Sequence, residues 1–122
     1  MLRPGGWLLF SDVMEFDGVN KEELQPIYDV THVSSLGSVS AYSKLAETLG
    51  YKAFSFESRA GSVNTHYEAI LKLVQILRHH PDPRKRFDVT EEFYASLVTS
   101  MTAWRDLAAG RIEWGFFTMR KV

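Results

Sequence analysis

The chain has 122 residues, of which 45% are hydrophobic and 24% charged, with a formal net charge of -1. That length and composition fit a single domain over residues 1–122 with a core of its own. The near-neutral charge gives no electrostatic drive toward nucleic acid or an anionic membrane, and the lack of cysteine excludes disulfides and thiolate chemistry.

The N-terminus carries no export pattern, because the apolar run from Trp7 to Phe10 is too short. Nor does any stretch approach the roughly 18 apolar residues of a membrane span. The expected compartment is the cytoplasm. The one basic cluster, Arg84-Lys85-Arg86, reads as part of a solvated loop.

Pro4-Gly5-Gly6 predicts a tight turn. Trp7 to Ser11 then reads as a strand buried on both faces, since its apolar run is nearly continuous. Glu15 to Asn20 reads as a loop marked by Asp17-Gly18. Leu24, Ile27 and Tyr28 share one face of a helix predicted over Glu22 to Val30. A small-residue connection runs from His32 to Ser38. Tyr42, Leu45, Ala46 and Leu49 form the apolar stripe of a second helix, which Ser38 or Ser40 can cap and Gly50 can end.

Tyr51 to Ser58 reads as a strand with Phe54 and Phe56 on one face. Arg59 to Asn64 is a loop, and Tyr67 to Arg78 a helix with Ile70, Leu71, Val74 and Leu77 aligned. The stretch from His79 to Arg86, with Pro81 and Pro83, breaks it. Thr90, followed by Glu91 and Glu92, starts a helix to about Leu107, because acidic residues suit the positive helix end. Ala108-Ala109-Gly110 is a turn, and Ile112 to Arg120 a final strand on which Phe116 and Phe117 alternate and pack the sheet on both sides. The sequence of elements predicts an α/β fold.

With these elements placed, three segments carry a resemblance: Leu2-Arg3-Pro4-Gly5-Gly6 and the strand to Met14, the Leu36–Tyr51 helix, and the closing Arg111–Lys121 strand with its Glu113-Trp114-Gly115-Phe116-Phe117. Together they resemble the C-terminal half of class I S-adenosylmethionine-dependent methyltransferases. The likeness is to the sarcosine/dimethylglycine N-methyltransferases of glycine-betaine synthesis, with phosphoethanolamine methyltransferases as a second relative. The resemblance implies a partial Rossmann-like sheet of the last three strands in 5-7-6 order. The final strand inserts antiparallel between the other two.

It also implies that the intact enzyme uses S-adenosylmethionine, cradled by a glycine-rich loop after its first strand. The eight glycines here form no G-x-G pattern. The expectation is a substrate-side portion that binds no cofactor by itself and no metal, and is inactive alone. Two alternatives stay open: a complete but atypical methyltransferase working as an oligomer, and a non-catalytic partner domain. In the family the strand at Trp7–Ser11 pairs outward with a fourth strand. Left bare, that apolar edge invites self-association or an N-terminal methyltransferase half.

Candidate site residues should gather where open α/β sheets bind ligands, at the carboxyl ends of the strands. Asp12 is either a carboxylate beside the substrate ammonium or a strand-end cap. Tyr28 and His32 are one helical turn apart and can face one cavity. By resemblance to the phosphobase enzymes, Tyr28 keeps the first residue of a phosphate-holding Tyr-Arg-Tyr set, His32 stands at the arginine and Ser34 near the second tyrosine. Loss of the arginine fork points to a small zwitterion such as sarcosine or dimethylglycine. His32 can equally be a structural histidine.

Gly37 and Ser38 either aim backbone N–H groups at a substrate carboxylate or make a plain helix cap. Tyr42 reads as core, as do Trp104 and Trp114. Arg59 reads as a surface ion-pair residue, and His66 and Tyr67 as part of a pocket lid. His79-His80 reads as a solvated helix end, because adjacent histidines do not share a helix face.

Overall fold

A computed structural model describes residues 2–82 and 90–122. The basic cluster Arg84-Lys85-Arg86 and Pro83 lie outside the described residues. Strand β1 (Trp7–Glu15) is followed by one 3-10 turn at Lys21–Leu24 and helix α1 (Gln25–Thr31). Helix α2 (Val39–Thr48) and strand β2 (Tyr51–Ser58) come next. A 3-10 turn at Ala60–Ser62 leads into α3 (Val63–Arg78), then α4 (Glu91–Leu107) and strand β3 (Ile112–Lys121). The strands form one sheet in the order β1-β3-β2, with β3 antiparallel to both neighbours.

Local chemistry explains the helix boundaries. The Ser38 hydroxyl accepts from the Ala41 N–H at 3.2 Å, and Thr90 accepts from Phe93 N–H at 3.2 Å. Each satisfies a first-turn donor that the helix itself leaves unpaired. Gly50 stops α2 at φ +79°, a left-handed conformation that a side chain disfavours. Helix α3 starts at Val63, not Tyr67. The expected loop at Arg59–Asn64 is instead a 3-10 turn feeding it, and Val63 is pulled into the core.

Two expectations for β1 need correction. The strand runs on through Glu15, because Met14 and Glu15 pair with Glu113 and Ile112 and extend the ladder. It is also not buried on both faces. Leu8 and Phe10 are half-buried on the α2 side, but Trp7 is 53% and Leu9 68% exposed on the other. Phe116 departs from expectation on the same grounds: it lies 44% exposed, so only Phe117 packs under a helix.

Phe117 is the centre of the α2-side layer and is fully buried. The register sets Phe10 on one side of it and Phe56 on the other. Their rings lie 4.7 and 4.6 Å from its centroid, and Tyr42 of α2 closes over it at 5.0 Å. Offset aromatic contacts of this kind add to the area that they bury. The opposite layer joins Leu24, Ile27, Tyr28, Val63, Trp104, Ala108 and Ile112. Among the described residues no helix is long and apolar enough to cross a membrane.

Gly115 is where β3 meets β2 most closely. A Cβ there would overlap the Glu57 carbonyl oxygen. Gly115→Ala must therefore push two paired backbones apart and should cost about 3 kcal/mol or more, beyond ordinary overpacking. Gly61→Ala enters open space and should stay within about 0.5 kcal/mol. Denaturant unfolding of the two variants checks the contrast, and equal midpoints would refute the close approach.

Candidate functional site

Asp12 lies in the carboxyl-terminal half of β1 and opens onto a cavity of about 330 Å³. Ser11 and Val13 of the same strand, Val63, His66 and Tyr67 of α3, and Trp114 of β3 complete the wall. Both carboxylate oxygens of Asp12 are held. Oδ1 accepts from the Val13 N–H at 2.9 Å and Oδ2 from the Tyr42 hydroxyl at 2.6 Å. The aromatic walls are fixed too. Tyr67 stacks on Trp104 at 5.3 Å, and the Trp114 indole donates to the Ser62 hydroxyl at 3.2 Å. The result is a small cavity with one carboxylate and two immobilised aromatic rings. Such a lining suits a compact cation, which gains both charge pairing and attraction to ring faces.

A second polar centre adjoins it at the end of β1. Glu15 is buried, and its Oε1 accepts from the Tyr28 hydroxyl at 3.0 Å and the Leu36 N–H at 2.7 Å. Its own N–H donates to the Gly37 carbonyl at 3.0 Å. One side chain thus ties β1 to α1 and to the connection that follows. Reading Glu15 as a loop residue hid this role. The apolar pair Val13-Met14, which follows Ser11-Asp12, was the available signal that the strand runs on.

The candidate residues separate into distinct places. Asp12 is on the cavity. Gly37 lies behind it, where an added Cβ would stand 3.5 Å from Asp12 Oδ2 and 3.0 Å from the Tyr42 ring. Ser38 spends its side chain on the α2 cap. Tyr28 and His32 do border one shallow groove, together with Gln25, Asp29, Val33 and Ser34. They do not present a shared helical face, however. Tyr28 turns its hydroxyl to buried Glu15, while His32 ends α1 at φ +57°, in the left-handed region, and is exposed.

Tyr42, read as plain core, proves to be Asp12's hydrogen-bond donor. Trp114, also read as core, forms part of the cavity wall. Arg59 pairs with Glu57 at 2.8 Å on the surface. His79 caps the exposed end of α3, and His80 Nδ1 accepts from the Asp82 N–H. Among the described residues no three acidic or histidine side chains are grouped to hold a metal.

The two tyrosine–carboxylate pairs leave an electrostatic signature. The Tyr42 phenol is pushed from 10.0 up to about 12, first by its hydrogen bond to Asp12, then by burial and the Asp12 charge. Tyr28 also rises from 10.0 to about 12, first by burial, then by the bond and charge of Glu15. A raised phenol means that folding favours the neutral form. Its stabilisation is complete below the unfolded value near 10 and is lost as pH climbs through the folded value near 12. Denaturant midpoints should therefore fall steeply across that window. Tyr42→Phe should flatten the fall, and curves parallel to wild type would contradict the assignment. Glu15→Ala should cost about 2 kcal/mol, the order expected for stranding a buried donor. Faster amide exchange at Leu36 is its local readout, and unchanged exchange there would count against the tie.

No family model matches the chain. The chain is 32% identical, over 98% of its length, to the glycine/sarcosine/dimethylglycine N-methyltransferase of Actinopolyspora halophila, of which it spans 21%. It is 28% identical over 99% of its length to the sarcosine/dimethylglycine N-methyltransferase of Aphanothece halophytica, and spans 43% of that protein. Among solved structures, a Galdieria sulphuraria protein assigned as a sarcosine dimethylglycine methyltransferase superposes with a TM-score of 0.80 at 29% identity. That match covers 98% of this chain and 43% of the other. The phosphoethanolamine N-methyltransferase 2 of Haemonchus contortus, bound to phosphomonomethylethanolamine and S-adenosylhomocysteine, shares the fold at a TM-score of 0.70 and 16% identity. That likeness covers 98% of this chain and 27% of the worm enzyme. The chain thus spans less than half the length of the relatives it matches. Across that span it resembles the C-terminal portion of sarcosine/dimethylglycine N-methyltransferases, carried on the matching part of a Rossmann-like methyltransferase fold.

Proposed function

We propose that this chain is the substrate-binding portion of an S-adenosylmethionine-dependent N-methyltransferase of glycine-betaine synthesis. Its substrate is a small amine such as sarcosine or dimethylglycine. The observation that carries this reading is the Asp12 cavity, with its fixed carboxylate and its Tyr67 and Trp114 walls. Methyl transfer to nitrogen is an in-line displacement, so much of the catalysis is holding the nitrogen in place and in line. Asp12 supplies the charge that draws the ammonium in, and the rings bound the methyl groups. His66, on the same wall, is the available proton acceptor for an amine that must expose its lone pair.

These residues do not fit the methyl donor. The only glycine doublet, Gly5-Gly6, uses its N–H groups internally. Gly5 donates to the Lys121 carbonyl at 2.7 Å and Gly6 to the Arg3 carbonyl at 2.9 Å. The described residues therefore offer no glycine-rich cradle, and on this reading a separate donor-binding portion supplies one. The free edge of β1, with exposed Trp7 and Leu9, is the surface we assign to meeting that donor-binding portion. The same edge supports self-association as a second reading.

Calorimetric titration of the chain with S-adenosylmethionine should give no saturable heat. Amide spectra should shift at Asp12, His66, Tyr67 and Trp114 when dimethylglycine is added, and Asp12→Asn should weaken that binding about tenfold, the loss of one charge-assisted contact. Saturable donor binding would overturn the division of labour. Unmoved cavity signals would overturn the amine site.

A further inference from the structure

We infer that Tyr42 is a positioning residue for amine recognition, acting through Asp12; the inference rests on the amine reading of the cavity. Tyr42 sits on α2, on the far side of Asp12 from the cavity wall formed by α3, and it lines no part of that cavity. Its hydroxyl nevertheless makes the shorter of Asp12's two hydrogen bonds, 2.6 Å against 2.9 Å. The other bond comes from the neighbouring Val13 N–H, which fixes one oxygen and leaves the second free to swing about the side chain. Tyr42 removes that freedom.

The phenol is itself held from three directions. Its ring packs against Phe10 at 5.2 Å and Phe117 at 5.0 Å. On a further side is Gly37, which has no Cβ to press on the ring. An atom there would meet Tyr42 Cε2 at 3.0 Å, tighter than ordinary van der Waals contact. The hydroxyl is thereby delivered to one place, and the carboxylate it holds keeps one orientation. A carboxylate oriented before the ligand arrives loses less freedom on binding a cation. The device also gives Gly37 a role: it makes room for the ring that aims Asp12.

Amide-detected titration of the intact chain tests this with two probes, dimethylglycine and 3-methylbutanoate, which has carbon in place of the nitrogen. Tyr42→Phe keeps the ring and loses only the hydroxyl. It should weaken dimethylglycine about fivefold and leave 3-methylbutanoate unchanged, because only the cation reads the carboxylate's aim. In an Asp12→Asn background the same substitution should add nothing, as expected of two groups acting in series. Gly37→Ala, which crowds the ring without deleting it, should weaken dimethylglycine in the same selective way, and it serves as the second variant should Tyr42→Phe fold poorly. If Asp12→Asn weakens dimethylglycine while Tyr42→Phe and Gly37→Ala do not, Tyr42 has no positioning role and the amine site stands. Equal weakening of both probes means a general loss of packing and overturns the inference. If Asp12→Asn also leaves dimethylglycine binding intact, the amine reading falls and this inference with it.

Discussion

The whole structure depends on β3 entering the sheet between two strands made much earlier in the chain. β1 and β2 do not pair with each other; among the described strands each is paired with β3 alone. Until residues 112–121 arrive, neither has a partner strand, so the sheet cannot form piecemeal from neighbouring segments. This gives the fold a high share of non-local pairing, which slows folding because loop closure precedes the reward. It also explains the demands on β3 itself. Gly115 must be bare because Glu57 comes so close, and Phe117 must be large because two strands and a helix converge on it.

The same insertion builds the site. Trp114 comes from β3, Asp12 from β1, and His66 and Tyr67 from α3, so no two neighbouring elements could make the cavity alone. Helix α3 is pinned at its start, where Val63 is buried in the core and Tyr67 stacks on Trp104 of α4. Its later turns bury Leu71 and Val74 and leave Leu73 and Ile76 exposed. The rings at the cavity thus sit on anchored first turns of the helix, which suits a site that works by placement.

Much of this architecture was readable because it rests on local chemistry. Ser38 and Thr90 announce helix starts, Gly50 announces a stop, and the run of strand and helix signals, read with the family likeness, gives the strand order. The failures share a cause. Glu15 looked like a loop residue because a buried carboxylate is rare without partners, and its partners Tyr28 and Leu36 lie 13 and 21 residues away. Tyr42 looked like core because helical spacing reports where a ring sits and says nothing of where its hydroxyl goes. Lys52 to Ser55 breaks the β2 register with Ala53 at φ +52°, a conformation no sequence rule assigns to alanine. His32 likewise takes a left-handed cap conformation that glycine usually fills.

The two tyrosine–carboxylate pairs show how a short strand can serve structure and recognition at once. Asp12 and Glu15 are three residues apart, and so point to opposite faces of β1. Each is met by a tyrosine from a different helix, Tyr42 of α2 and Tyr28 of α1. Glu15 is buried and fully engaged with the polypeptide, so its carboxylate is spent on holding the connection at Leu36. Asp12 is only half-buried and borders open space, so its charge remains available to a ligand. The connection that Glu15 holds ends at Gly37, and Gly37 is the residue that leaves room for Tyr42. Burial on one face of the strand thereby fixes the geometry of the exposed charge on the other.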